Sequence, residues 1–194
     1  MKINIILAGV GGQGILTIAA VLDTAALSCD LNIKQAEVHG MSQRGGAVQS
    51  HVRISDSEIY SDLIPQGKAD IIISVEPMEL LRYLPFLKEG GHLVTDSNPF
   101  INITNYPELD ELHTEIKSLP NSILIDAKQI AKDLGNSRAT NIVLLGAASS
   151  ILPLSDESFI DAIKTLFERK GEKIVNKNIE AFLKGKEIAR EYAL

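Results

Sequence analysis

Gly9-Val10-Gly11-Gly12-Gln13-Gly14 stands between a short apolar run, Ile3 to Ala8, and a longer run of helical character, Ile15 to Leu27. A strand, a glycine turn and a helix in that order form the opening unit of a doubly wound α/β sheet. Ile3 to Ala8 is β-branched and almost wholly apolar, as befits a central strand covered on both faces. In Ile15 to Leu27 the apolar positions run nearly all round, so the helix is expected to be buried. A second strand-like run, Ile33 to Val38, leads into a second glycine loop, Gly40-Met41-Ser42-Gln43-Arg44-Gly45-Gly46. Loops at the carboxyl ends of strands gather on one edge of such a sheet, and ligands bind there. The two loops are therefore expected to share one site, with the Arg44 guanidinium as its fixed cation.

The remaining sequence reads as scaffold. Ala47 to Ile54 alternates, with Val48, Ser50, Val52 and Ile54 on one face and Gln49, His51 and Arg53 on the other. Ile59 to Ile64 is expected to pair with it as an antiparallel hairpin through Ser55-Asp56-Ser57. Ala69 to Val75, His92 to Thr95 and Ser122 to Ile125 read as further strands. Pro77 opens a helix whose spacing (Met78, Leu81, Leu84, Leu87) runs to Gly90-Gly91. Asn98 to Asn121 is a long connection with one short element. Asp126 caps a helix over 127–134, Asn141 to Leu152 is a helix with a small-residue centre, and Ser155 caps another over 156–169. Glu172 to Tyr192 is a last amphipathic helix. The expected fold is a three-layer, Rossmann-like α/β domain over residues 1–194. Its sheet is mixed and mostly parallel, with helices on both faces and a helical C-terminal third.

Composition removes several classes of function. A chain of 194 residues buries roughly 70% of its unfolded surface and needs no covalent staple. The single cysteine, Cys29, makes no internal disulfide and no cluster site, which takes several thiolates. With a net charge of −6 and no basic run, nucleic acid is a poor partner. No apolar run reaches bilayer-spanning length, and Met1-Lys2 opens directly into strand-like sequence, so a cytoplasmic protein with no membrane partner is expected.

The chemistry carried by single motifs is modest. Gly9-x-Gly11-x-x-Gly14 matches the dinucleotide fingerprint, which points backbone N–H groups at an anion. That fingerprint also wants a carboxylate at the end of the second strand, and Glu37 is the one candidate. A tight turn without a ligand fits the glycines equally. Arg44 suits a carboxylate, a phosphate or a partner's acidic group, and a solvated arginine is the plain alternative. His39 ends a strand near the loop, while Gln49, His51 and Arg53 share a polar face that is either solvated or covered by a partner. His92 and His113 have no supporting context. No nucleophile–base set and no zinc-ligand spacing emerges.

Taken together, Gly9-Val-Gly-Gly-Gln-Gly14 followed by His39-Gly-Met-Ser-Gln-Arg-Gly-Gly46 resembles the gamma-type subunit or domain of the 2-oxoacid:ferredoxin oxidoreductases. Glu76-Pro77, Gly90-Gly91, and Asn141 with Leu145-Gly146 extend the resemblance over nearly the whole chain. Met41-Ser42-Gln43-Arg44 looks like the indolepyruvate branch, whereas the pyruvate and 2-oxoglutarate branches carry a glutamate just before Arg-Gly-Gly. The resemblance implies oxidative decarboxylation of aryl pyruvates to acyl-CoA, with electrons passed to ferredoxin. It also implies a larger alpha subunit that carries thiamine diphosphate and the iron–sulfur clusters, and this chain is expected to be inactive alone. Coenzyme A is expected at the interface. Residue matching puts Arg44 forward as the catalytic candidate, with Gly9, Gly11, Gly12, Gln13, Gly14, Gln43, Gly45 and Gly46 as cofactor-binding candidates. The Gln49/His51/Arg53 face and the small-residue helix are the expected subunit contacts. A free-standing protein that binds NAD or FAD is the alternative, and so is the same subunit of a pyruvate or branched-chain 2-oxoacid enzyme.

Overall fold

The computed structural model describes residues 1–39, 46–101 and 103–192. Their six strands are β1 (Lys2–Val10), β2 (Asn32–His39), β3 (Ala47–Ser55), β4 (Ala69–Ser74), β5 (Leu87–Asp96) and β6 (Ser122–Ile125). They form one sheet in the order β2-β3-β1-β4-β5-β6. β4 pairs with β1 and β5 in parallel, and β6 pairs with β5 in parallel. β3 is antiparallel to both β1 and β2, so it alone runs against the others. The expected mixed, mostly parallel sheet is what the chain forms.

Alternation on β1 sends side chains into two cores. Ile3, Ile5 and Leu7 pack under α1 (Ile15–Leu27), α4 (Ala127–Asp133), α5 (Thr140–Ala148), α6 (Asp156–Phe167) and α7 (Glu172–Ala189). Ile6 faces a smaller core with Ile72, Leu93 and Leu124, closed by Leu80 of α2 (Pro77–Arg82) and Ile116 of α3 (Leu109–Ser118). The chain moves to opposite sides of β1 after α1 and after β3, which places the switch point of the sheet between β1 and β4. Crevices that bind ligands open at such a point.

Two expectations need correction. Ile59 to Ile64 forms no strand, because both edges of β3 are already taken by β1 and β2. The segment instead crosses the polar face of β3. The Arg53 guanidinium donates to the Ser61 carbonyl at 2.8 Å, the Leu63 carbonyl at 3.2 Å and Asn4 Oδ1 at 3.0 Å. Ile64 N–H donates to His51 Nδ1 at 3.0 Å. His51 and Arg53 are thus buried by the chain itself, and they are not a partner-facing surface. The helix from Pro77 stops at Arg82, and a single tight turn at Leu84–Phe86 leads straight into β5. Pro85 has no N–H to continue a helix, so Gly90 and Gly91 fall within the strand.

The buried His51 carries a pH consequence. Burial lowers its pKa from the ordinary 6.5, and Nδ1 accepts a hydrogen bond only while neutral. A lowered folded-state pKa means that the contribution is complete above pH about 6.5 and is lost as pH falls through the folded value. Urea midpoints are expected to drop between pH 7.5 and pH 5.5, and the drop is expected to shrink in His51→Gln. A His51→Gln variant with the same drop would assign the acid sensitivity elsewhere.

Candidate functional site

The glycine loop forms as its residue types require. Gly14 has φ +82°, and a Cβ there would meet Asn141 Nδ2 at 2.6 Å, so glycine alone fits. The Gln13 side chain is a brace: Oε1 accepts from Val10 N–H at 2.7 Å and Nε2 donates to the Val75 carbonyl at 3.3 Å. It ties the end of β1 to the end of β4 across the switch point. Asn141 Nδ2 donates to the Gly14 carbonyl at 2.9 Å and fixes α5 beside the loop. α1 starts at Ile15 with no side-chain cap and no acid in its first turn. Its first N–H groups and the positive end of its dipole are left for an anion.

The second loop meets the first through β3. Gly11 N–H donates to the Gly46 carbonyl at 3.0 Å, next to the Val10–Ala47 pair of the ladder. Gly46, the last residue of the second loop, therefore sits beside the first loop, although β1 and β2 are not neighbours. Gln43, Arg44 and Gly45 lie outside the described residues.

An open cleft of about 760 Å³ lies along this edge, over the ends of β1, β4 and β5. Gly12, Gln13 and Gly14 line one wall. Gly9 does not line it. It lies within β1, where a Cβ would come within 2.4 Å of Val75 Cγ2. Lys128, Arg138 and Lys170 supply three cations around the cleft, and none forms an ion pair among the described residues.

The facing wall is built on two buried carboxylates. Asp96, at the end of β5, accepts from Ala127 N–H at 3.0 Å and from Asn98 Nδ2 at 3.1 Å, and burial raises its pKa. Asn98 Nδ2 also donates to Asp126 Oδ1 at 2.7 Å, and the same oxygen caps α4 by accepting from Gln129 N–H. Glu76 is fully buried. It caps α2 by accepting from Glu79 N–H at 2.8 Å, and its other oxygen accepts from Phe100 N–H at 3.4 Å and from the Tyr106 hydroxyl. Burial and the Glu76 carboxylate both hold the Tyr106 hydroxyl protonated, with its pKa raised well above the ordinary 10.

The site thus offers backbone N–H groups, cations and an aromatic rim, and it suits binding of an extended anionic molecule. Among the described residues no group of three or more His, Cys, Asp or Glu is placed to hold a metal ion. The cations and the 96–100 wall escaped the sequence reading, although Asp96 and Asp126 end strands and so fall under the same carboxyl-edge rule. Glu37 does not serve the first loop. It lies on β2, and β3 stands between β2 and β1. The small-residue helix packs inside the molecule: a Cβ on Gly146 would lie 2.0 Å from the Phe182 carbonyl oxygen. That segment of α5 meets α7 and is not a subunit contact.

Known proteins resemble the chain in sequence and fold. The family described as pyruvate ferredoxin/flavodoxin oxidoreductase matches residues 4–188. Indolepyruvate oxidoreductase subunit IorB of Pyrococcus horikoshii is 39% identical over 198 residues, 97% of this chain and 96% of that one. Its counterpart in Archaeoglobus fulgidus is 39% identical over 194 residues, 95% of this chain and 94% of that one. The gamma subunit of keto/oxoacid ferredoxin oxidoreductase from Geobacter sulfurreducens has the same fold at a TM-score of 0.72 and 27% identity, with 98% of each chain covered. The 2-oxoglutarate:ferredoxin oxidoreductase of Magnetococcus marinus, solved with 2-oxoglutarate, coenzyme A and succinyl-CoA bound, gives a TM-score of 0.77 at 23% identity. The match covers 98% of this chain and 31% of that one, so the same fold recurs within a longer polypeptide. Matched by the family model over residues 4–188 and by relatives of its own length at 39% identity, the chain belongs to the pyruvate ferredoxin/flavodoxin oxidoreductase family.

Proposed function

We propose that the chain is the small subunit of an indolepyruvate:ferredoxin oxidoreductase, and that its cleft and glycine loops hold coenzyme A for a partner's active site. The observation that carries this reading is the open cleft itself, lined by three cations and a glycine loop. The relatives of similar length are indolepyruvate oxidoreductase subunits, which supports aryl pyruvates as the 2-oxoacid. A larger alpha subunit is the proposed home of thiamine diphosphate and the iron–sulfur clusters, with ferredoxin served through the complex. One cysteine in the whole sequence cannot supply a cluster's thiolates. Bound in the partner, thiamine diphosphate would supply the decarboxylation chemistry, the iron–sulfur clusters would carry the electrons to ferredoxin, and coenzyme A would serve as the acyl acceptor.

This chain's own part is binding and exclusion of water. Lys128, Arg138 and Lys170 neutralise phosphate, the uncapped N–H groups at the α1 start donate to further anionic oxygens, and Arg44 is proposed to meet a phosphate or the 2-oxoacid carboxylate. No helix among the described residues is long and apolar enough to cross a membrane, in keeping with a complex that meets a soluble electron carrier.

Steady-state kinetics of the reconstituted complex tests the cleft. Arg138→Ala with Lys170→Ala is expected to raise the KM for coenzyme A by on the order of a hundredfold or more, since each charge-assisted contact contributes about 1.5–3 kcal/mol. The KM for the 2-oxoacid is expected to stay put. An unchanged KM for coenzyme A would remove the cleft from the coenzyme site.

A further inference from the structure

The rim of the cleft has an aromatic ring whose position is fixed by a buried carboxylate. Phe100 lines the cleft and is 42% exposed, a large apolar surface left open to solvent. Its backbone is held where it is by Glu76, which has no exposure at all. That carboxylate accepts from Glu79 N–H in the first turn of its own helix, α2, and from two donors distant in sequence, Phe100 N–H and the Tyr106 hydroxyl. Ser74 ties the same residue down from the other side, donating its hydroxyl to the Glu76 carbonyl at 2.6 Å. Two residues before the ring, Asn98 is pinned to both Asp96 and Asp126. The base of the loop is held as well, with His113 Nε2 2.8 Å from the Ser97 carbonyl.

A loop that served only to join β5 to α3 would not need a buried carboxylate to fix the stretch that carries an open aromatic ring at the cleft. A solvent-facing ring beside a cationic cleft is what a ligand with both a flat base and phosphate groups requires. Stacking a base on an aromatic face contributes about 1–3 kcal/mol, and the cations take the phosphates. We propose that Phe100 is the platform on which the cleft holds the adenine ring of coenzyme A, with Glu76 and Tyr106 as the positioning residues that keep it at the rim. This rests on the coenzyme reading of the cleft given above.

The test compares two thiol acceptors in the reconstituted complex: coenzyme A, and pantetheine, which lacks the nucleotide. Phe100→Ala is expected to raise the KM for coenzyme A by about 5- to 100-fold, to leave the KM for the 2-oxoacid in place, and to leave the KM for pantetheine unmoved. Phe100→Tyr, which keeps the ring, is expected to restore the KM for coenzyme A. Tyr106→Phe, which removes one donor to Glu76 and keeps the packing, is expected to show the Phe100→Ala pattern more weakly. Equal losses with both thiols, or no loss with either, would overturn the platform while Arg138→Ala with Lys170→Ala still raises the KM for coenzyme A. If the cation variants also leave that KM unchanged, the coenzyme reading of the cleft falls and the platform falls with it.

Discussion

Gly185→Ala is expected to lower the melting temperature of the isolated chain by roughly 5–10 °C. On propensity alone the change favours the helix by about 1 kcal/mol, since glycine is the poorer helix former. Contact decides the other way. A Cβ at Gly185, in the middle of α7, would sit 1.9 Å from the Val143 carbonyl oxygen and 3.1 Å from the Ala147 nitrogen. Both atoms are backbone of α5, so no side chain can turn aside, and the two helices must part along a seam that also holds Gly146 against Phe182. Overpacking of a close-packed interior costs about 1–3 kcal/mol and sometimes more, and here rigid helices share the strain. Thermal unfolding followed by far-ultraviolet circular dichroism checks it. A variant as stable as the parent would mean that the α5–α7 contact is looser than described.

Arg44→Ala is expected to lower kcat/KM of the complex by roughly a hundredfold or more, because a guanidinium paired with a substrate anion in a closed site is worth about 2–5 kcal/mol. β2 ends at His39 and β3 begins at Ala47, and Gly46 is bonded to Gly11 of the first glycine loop. Arg44 stands two residues before Gly46 in the sequence. Kinetics with each substrate varied in turn shows what it meets. A rise in KM for coenzyme A alone assigns a phosphate, and a rise for the 2-oxoacid alone assigns its carboxylate. Arg44→Lys is expected to recover only part of the loss, since an ammonium cannot reproduce a two-point guanidinium contact. Parental values for both substrates would take Arg44 out of the site.

Much of this architecture is visible in the sequence because local rules and tertiary packing agree there. Ile3 to Ala8, the glycine loop and Ile15 to Leu27 form β1, its turn and α1, with α1 spanning the expected residues. Asp126 and Ser155 cap their helices through their side chains, as their types suggest. The failures have physical causes too. The alternation of Ala47 to Ile54 reveals a strand but not its neighbours, and its hairpin partner is β2 in place of the expected Ile59 to Ile64. Leu84 and Leu87 keep a helical spacing across Pro85, yet the missing N–H ends the helix. Polar residues at 49, 51 and 53 suggest an outer face, and only the tertiary structure shows the 59–64 segment closing over His51 and Arg53.

The site divides in the same way. Glycines announce themselves, since Gly14 adopts a backbone conformation that other residues resist. Gln13 looks like a ligand-facing side chain and turns out to brace two strand ends. Lys128, Arg138 and Lys170 come from three separate segments, and nothing local marks them as neighbours. Glu76 drew notice only as the residue before a helix-opening proline, whereas its burial and its three donors emerge only when the 97–108 loop is placed above it.

This chain is proposed to work only as part of a complex, with its cleft serving a centre held elsewhere. Native purification under anaerobic conditions, followed by assay with indolepyruvate, coenzyme A and ferredoxin, tests it most directly. The expected result is a larger thiamine- and iron–sulfur-bearing chain co-purifying in fixed ratio, with activity in the complex and none in this chain alone. A lone chain carrying tightly bound NAD or FAD would contradict the claim and make the glycine loop a dinucleotide site.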